Sequence, residues 1–156
     1  AQSGQYNLPR CLKRGDTIAA SLAMARFAET AISALYLLVG KPMPFYKWSY
    51  RGLSDLSQAA FWQNGGTHAD SSMSGPSQAS IAKAAAFIKE LFSAPVCDNS
   101  CAIAEEICIL ILDMMADRGL IRRDAGDFAQ DYTGQLMEQI IDPQIRSMHP
   151  MADCPV

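Results

Sequence analysis

Apolar residues along the chain fall into a few long runs with helical spacing. The longest, residues 17–39, consists mostly of Ala, Leu, Met and Ile. Asp16 stands before it as an N-cap, and Gly40 and Pro42 follow it as helix-ending residues. The pattern predicts one helix of about six turns. Because this run is apolar nearly all round, we expect it at the centre of the fold.

Later segments repeat the same signals, a capping residue, an amphipathic run and then a Gly or Pro. Strand-like alternation and internal repeats are not evident. The chain is therefore predicted to be all-α, one domain over residues 1–156 built as a bundle of four to five main helices. The later helices are predicted to run from Ser77 to Ala94, from Asp98 to Gly119, and from Asp124 to the residue before Pro143.

The connections also carry signals. Residues 41–48, KPMPFYKW, combine two prolines with three aromatics, which predicts a stiff extended connector whose rings pack against the bundle. Short helices are predicted at residues 46–53 and 55–63. Residues 64–76, rich in Gly and Ser, predict a flexible loop. The tail from Met148 onward is expected to fray.

Composition narrows the classes of protein. The chain has 156 residues, 49% hydrophobic and 19% charged, with a net charge of -3, which is globular and argues against a nucleic-acid partner. The apolar run at residues 31–39 is too short to span a bilayer, so no membrane partner is expected. Five cysteines, an odd number, fit a reducing compartment and a cytoplasmic location. The chain begins with Ala1 and not with methionine, and we expect it to be a fragment of a longer protein.

Complete catalytic motifs are missing from the sequence. Its two histidines lie in loop-like stretches, which makes a nucleophile–His–acid triad improbable. Three cysteines and three acidic residues each follow one helix face. These are either metal ligands or, as we favour, packing thiols and a solvated face, so no metal site is assigned. The residues are Cys97, Cys101 and Cys108, and Glu106, Asp113 and Asp117.

Two polar groups interrupt the apolar pattern. Arg10 and Arg14, one helical turn apart, either clamp a phosphate or carboxylate or pair with acidic neighbours on a wet surface. A polar stripe on the central helix either faces a cleft or contains a simple surface ion pair between Arg26 and Glu29. The stripe consists of Arg26, Glu29, Thr30 and Ser33.

Several blocks near the start form a recognisable pattern. They are Gln5-Tyr6-Asn7-Leu8, Arg10, Lys13-Arg14-Gly15-Asp16 and Pro44-Phe45-Tyr46-Lys47-Trp48. Over residues 4–57 the chain resembles the helical domain of unknown function found C-terminal to bacterial nucleotidyltransferase domains. The resemblance implies a helical bundle similar to a nucleotidyltransferase substrate-binding domain.

The resemblance also implies a division of labour. In such proteins a preceding catalytic domain supplies a Gly-Ser and a D-x-D that hold magnesium and a nucleoside triphosphate. Neither element occurs here, so no cofactor is expected in this chain and the isolated chain is expected to be inactive. The helical domain walls one side of the cleft and contacts a small-molecule or nucleotide acceptor. The predicted substrate-binding residues are Arg10, Arg14, Asp16, Arg26, Tyr46, Lys47 and Trp48, and we nominate Glu29 as candidate general base.

Two other functions stay open at this point. The chain is alternatively a non-enzymatic helical module for dimerisation or regulation, with a second copy as partner. A third possibility is a bundle that binds a small ligand unrelated to nucleotides. A catalytic block upstream of Ala1 would favour the first function, and the mass in solution tests the second.

Overall fold

A computed structural model describes residues 1–58 and 76–148, and regular structure in these ranges is entirely helical. The all-α prediction is confirmed for this part of the chain. Most of the loop predicted at residues 64–76, the end of the helix predicted at 55–63 and the tail beyond Met148 lie outside the described residues. The helices are α1 Leu8–Lys13, α2 Thr17–Val39, α3 Tyr46–Leu56, α4 Gln78–Leu91, α5 Asp98–Asp117, α6 Thr133–Glu138 and α7 Pro143–Ser147, with a π-helical turn at Gln2–Asn7 and a 3-10 turn at Ala129–Tyr132.

The central helix α2 begins and ends where its capping residues predict. The Asp16 carboxylate accepts a hydrogen bond from the backbone N–H of Ala19 at 2.9 Å. Gly40 closes the other end with φ of 71°, a left-handed conformation that glycine adopts without steric cost. Among the described helices, α2 is long and apolar enough to cross a membrane, but half of its most apolar window is buried inside the bundle. A core helix satisfies the same criterion, and α2 is one.

The other elements surround α2. Helices α1, α3, α4 and α5 and the N-terminal turn all contact it, while α4 packs on α5 and α3 packs on α4. Helix α3 buries Ser49, Leu53 and Leu56, which recur at helical spacing. It is one continuous helix to Leu56, where the sequence predicted a first helix ending at residue 53.

The caps of α4 and α5 differ in how well the sequence located them. Ser77 caps α4 as predicted, since its hydroxyl accepts from the N–H of Ser80 at 3.1 Å. The cap of α5 is Cys97 and not Asp98, because the Ser100 hydroxyl reaches back to accept from the Cys97 N–H at 3.2 Å. Asp98 instead occupies the first turn, where a negative charge complements the helix dipole.

The prediction of a fifth helix starting at Asp124 is wrong. The chain is irregular up to the 3-10 turn at Ala129–Tyr132. The hydroxyl of the fully buried Tyr132 donates to the carbonyls of Ala125 and Gly126 at 2.7 and 2.9 Å. Those carbonyls are therefore held by a side chain and are not used in a helical ladder.

One side chain from the N-terminal turn ties the beginning of the chain to its later half. Gln5 donates to the Glu105 carboxylate at 2.6 Å and to the Asp127 carbonyl at 2.7 Å, and accepts from the N–H of Ala129 at 2.9 Å. This geometry requires the turn to lie close against the bundle. Gly4 permits it, because a Cβ there would sit 2.7 Å from Cγ of Phe27 on α2.

Gly4→Ala is therefore expected to lower the free energy of unfolding by about 1–3 kcal/mol, since the methyl group overlaps the Phe27 ring. Urea unfolding followed by circular dichroism measures the change. Gly134→Ala is the matched control, because nothing lies within 4 Å of a Cβ there, and it should be neutral or slightly stabilising within helix α6. Equal stability of the two variants would contradict the proposed close approach.

Candidate functional site

An open groove of about 750 Å³ lies between α2, α3 and α4. Its floor is apolar: Ala25, Ala28 and Ile32 come from one face of α2, and Ile88 comes from α4. The two alanines leave space that larger side chains would fill. Grooves of this size with an apolar floor and a few polar groups at the edge are the usual form of small-molecule sites. The remaining lining residues are Arg26, Glu29, Tyr46, Ser49, Tyr50, Lys89, Phe92 and Ser93.

A charged pair forms the α2 edge of the groove. Nη1 of Arg26 lies 2.9 Å from Oε2 of Glu29, and the two side chains are 60% and 50% exposed. Such an exposed pair contributes less than about 1 kcal/mol to stability. The structure thus contains the ion pair and also places both residues in the groove lining, so the two alternatives of the sequence analysis are not exclusive. Thr30 is turned to the carbonyls of its own helix.

Aromatic rings form the opposite edge. Tyr46 and Tyr50 lie one turn apart on α3, and Phe92 follows the end of α4. The Tyr50 hydroxyl donates to the Ala85 carbonyl at 3.3 Å, which ties that side chain to α4. Lys89 brings a positive charge to this side, and no acidic partner for it is found in the described part of the chain.

The prediction that the aromatics of residues 41–48 pack against the bundle is wrong. Phe45, Tyr46 and Trp48 are 61%, 61% and 58% exposed. They contact each other instead, with ring centroids 4.7 Å apart for Phe45 and Tyr46 and 6.2 Å apart for Phe45 and Trp48. The extended connector ends at Phe45, and the core-facing positions of α3 begin at Ser49. These rings therefore stand beside the groove, with only Tyr46 in its lining.

The remaining predicted substrate-binding residues do not line the groove. Arg10 places its guanidinium 4.7 Å from the centre of the Tyr6 ring and donates to the Tyr6 hydroxyl. Arg14 lies 3.7 Å from the Cys11 sulfur. Asp16 caps α2, while Lys47, like Trp48, is exposed on the first turn of α3.

The side of α2 on which the N-terminal segment packs explains this separation. Gly4 lies against Phe27, and Glu29 is two residues further along, about 200° around the helix axis. The structure thus brings Arg26, Glu29 and Tyr46 together and leaves Arg10 and Arg14 outside their groove.

The cysteines and acidic residues on and just before α5 lie in different environments. In the described ranges, no group of three His, Cys, Asp or Glu side chains is placed to hold a metal ion. Cys97 is exposed, whereas burial raises the pKa of the Cys108 thiol to about 11, so Cys108 stays a neutral packing group at physiological pH. Asp113 pairs with Arg123 at 3.2 Å.

Sequence reasoning missed the contribution of α4. Ile88, Lys89 and Phe92 meet Glu29 only through tertiary packing, and nothing in their local sequence marks them. Tyr50 had a weak signal, since it lies one turn after Tyr46.

Comparison with known families gives one match. A model described as "Domain of unknown function (DUF4037)" matches residues 1–49. This part contains the N-terminal turn, α1, α2 and the first residues of α3, and thus one wall of the groove without α4. Searches of curated proteins and of solved structures found no match.

Trp48→Ala is expected to change the free energy of unfolding by less than about 0.5 kcal/mol, because the indole is mostly exposed. Phe27→Ala serves as the comparison, since Phe27 is 2% exposed and truncating a buried phenylalanine costs about 3–5 kcal/mol. Denaturant midpoints measure both. A large loss of stability in Trp48→Ala would mean that the indole is buried in solution.

Proposed function

We propose that the chain is an accessory, substrate-binding helical domain of a nucleotidyltransferase-like protein, and that the groove between α2, α3 and α4 contacts the acceptor. The observation that carries this proposal is the meeting of Arg26, Glu29 and Tyr46 in one groove. The sequence predicts all three as site residues, and all three fall within the matched residues 1–49.

The chemistry of the groove suits an acceptor with an apolar or ring-shaped body. Ala25, Ala28 and Ile32 offer it an apolar surface, and Tyr46 and Phe92 offer ring faces. Polar groups at the edge then fix its orientation. An acceptor hydroxyl beside Glu29 would lie near a carboxylate able to take its proton, because one oxygen of Glu29 is bonded to Arg26 and the other has no protein partner in the described ranges.

The nucleotide would be held elsewhere. The chain has no D-x-D to bind magnesium and no phosphate-cradling loop, so the proposal assigns the triphosphate to a separate catalytic domain. The part played by this chain is to hold the acceptor still and to present its hydroxyl, which lowers the entropic cost of the reaction.

A second candidate is a non-enzymatic dimerisation or regulatory module. Ile18 and Leu22 favour it, because α2 leaves them 75% and 68% exposed. Large apolar groups exposed side by side mark contact surfaces more often than catalytic ones. The two candidates differ in whether residues of the groove affect a chemical reaction.

The isolated chain is expected to transfer no nucleotidyl group. Incubation with labelled nucleoside triphosphates, magnesium and a mixture of hydroxyl- and amine-bearing acceptors should give no adduct by mass spectrometry. Turnover by the purified chain would show that its own residues suffice for catalysis and would overturn the proposed division of labour.

In the protein that joins the catalytic domain to this chain, Glu29→Gln is expected to lower kcat at least about 100-fold, because the amide cannot take a proton. Its melting temperature should stay within a few degrees, since the exposed pair with Arg26 adds little stability. Glu106→Gln is the matched control, an exposed glutamate outside the groove lining, and should keep full activity. Wild-type kcat in Glu29→Gln would refute the assignment.

A further inference from the structure

A second groove continues the first toward the start of α2. Ile18 and Leu22 on α2 face Pro95 and Val96, which follow α4, around a space of about 560 Å³. Its two large α2 residues are mostly exposed, which is an unfavourable place for aliphatic side chains in a water-facing monomer. We call this space the outer groove.

The outer groove extends a site that already holds a helix. Six residues of α2 recur at alternating steps of four and three, the spacing of a seam against a packed helix. Helix α3 covers the later part, where Ile32 and Tyr36 are 6% and 4% exposed and the Tyr36 hydroxyl donates to the Ser49 carbonyl at 3.1 Å. The earlier part has no cover among the described residues, and it is about 16 Å long at 1.5 Å per residue. The seam consists of Ile18, Leu22, Ala25, Glu29, Ile32 and Tyr36.

The same chain exposes an apolar segment near its C-terminal end. Around α7, Ile141, Ile145 and Met148 are 94%, 51% and 45% exposed. Ile145 lies within α7, whereas Ile141 precedes the N-cap Asp142 and Met148 follows the last helical residue, so the three form one exposed apolar stretch around the helix. Helix α7 makes no extensive contact with any other described element. We call residues 141–148 the C-terminal segment.

Charges on the two surfaces are complementary. The outer groove begins beside Asp16 and Asp98, which lie one and two residues from a lining residue, and neither forms an ion pair in the described ranges. Lys89 lines the first groove and not the outer groove. The C-terminal segment carries Asp142 before α7 and Arg146 in its last turn. A segment that runs toward the start of α2 would place Arg146 near Asp16 and Asp98.

The segment cannot reach the outer groove of its own chain. The side chain of Gln139 donates to the carbonyl of Gly119, just after the end of α5. The outer groove lies at the other end of α5, next to Asp98, and these 20 residues span about 30 Å. The six residues from Gln139 to Ile145 would cover only about 20 Å even when fully extended. A C-terminal segment seated in the outer groove must therefore come from another copy of the chain.

We propose that the outer groove binds the C-terminal segment of a second copy of this chain, reciprocally, to form a closed two-fold dimer. Ile141, Ile145 and Met148 of one copy pack on Ile18 and Leu22 of the other, and Arg146 pairs with Asp16 or Asp98. A reciprocal contact closes the assembly because each copy supplies one groove and one segment. The proposal does not depend on catalysis by Glu29; it deepens the second candidate function, dimerisation, which rests on the same exposed Ile18 and Leu22.

Sedimentation equilibrium of the chain tests this. The wild type should have twice the monomer mass of 17.0 kDa, whereas Leu22→Asp and Ile145→Asp should each sediment as monomers. Leu37→Asp is the matched control, since Leu37 is 74% exposed on the same helix but outside the outer groove, and it should remain dimeric. All substituted residues are exposed, and circular dichroism should show unchanged helix content.

A mixture of the two monomeric variants tests the reciprocal contact directly. The Leu22→Asp protein keeps an intact segment and the Ile145→Asp protein keeps an intact groove, so their equimolar mixture should regain dimer through one restored contact. A charge exchange adds a second check: Arg146→Glu should weaken the dimer and Asp98→Arg should restore it. A wild-type chain that stays monomeric at every concentration up to the millimolar range would overturn the proposal. So would a mixture of the two variants that stays monomeric.

Discussion

The whole structure depends on covering one helix. The 23 residues of α2 are apolar on nearly every side, and a helix of this kind is stable in water only where neighbours exclude the solvent. The N-terminal turn, α1 and α5 cover one side, and α3 and α4 cover another. These neighbours do not cover α2 completely, because α3 begins beside the middle of α2 and α4 ends before reaching its start. Both grooves arise from that shortfall.

The polar residues of α2 lie where the cover stops. Arg26 and Glu29 are placed between the part of α2 packed under α3 and the exposed Ile18 and Leu22. There they remain solvated and border an apolar surface at the same time. Such a place suits a ligand that is apolar on one side and polar on the other. Its apolar side can contact the groove floor without removing water from an unpaired charge, because Arg26 and Glu29 pair with each other.

Features fixed by nearby residues could be predicted from the sequence. The ends of α2 follow from Asp16 and Gly40, which act through hydrogen bonds and a backbone angle within one turn of themselves. The irregular stretch before residue 129 could not be predicted, because the Tyr132 hydroxyl that holds its carbonyls is fixed by burial in the core. The cap of α5 was missed by one residue, since Cys97 takes that position and donates its N–H to the Ser100 hydroxyl.

In the candidate site, too, some features could be predicted from the sequence and others could not. The 3.6-residue repeat alone places Arg26 and Glu29 on one face of α2. Their proximity to Lys89 and Phe92 depends on how α4 packs across the bundle, which cannot be predicted from a single sequence. The position of Arg10 and Arg14 depends on which side of α2 the N-terminal turn occupies. The contact of Gly4 with Phe27 determines that side. A glycine has no side chain, so the sequence does not indicate which residue packs against it.

The two proposals constrain each other through the shared seam of α2. A C-terminal segment docked on Ile18 and Leu22 would reach as far as Ala25, which lines the groove between α2, α3 and α4. It would therefore close the outer end of that groove. An acceptor would then have to enter from the side of α3, where Phe45, Tyr46 and Trp48 stand exposed. Rings exposed on that side would offer the acceptor an apolar contact before it reaches Glu29.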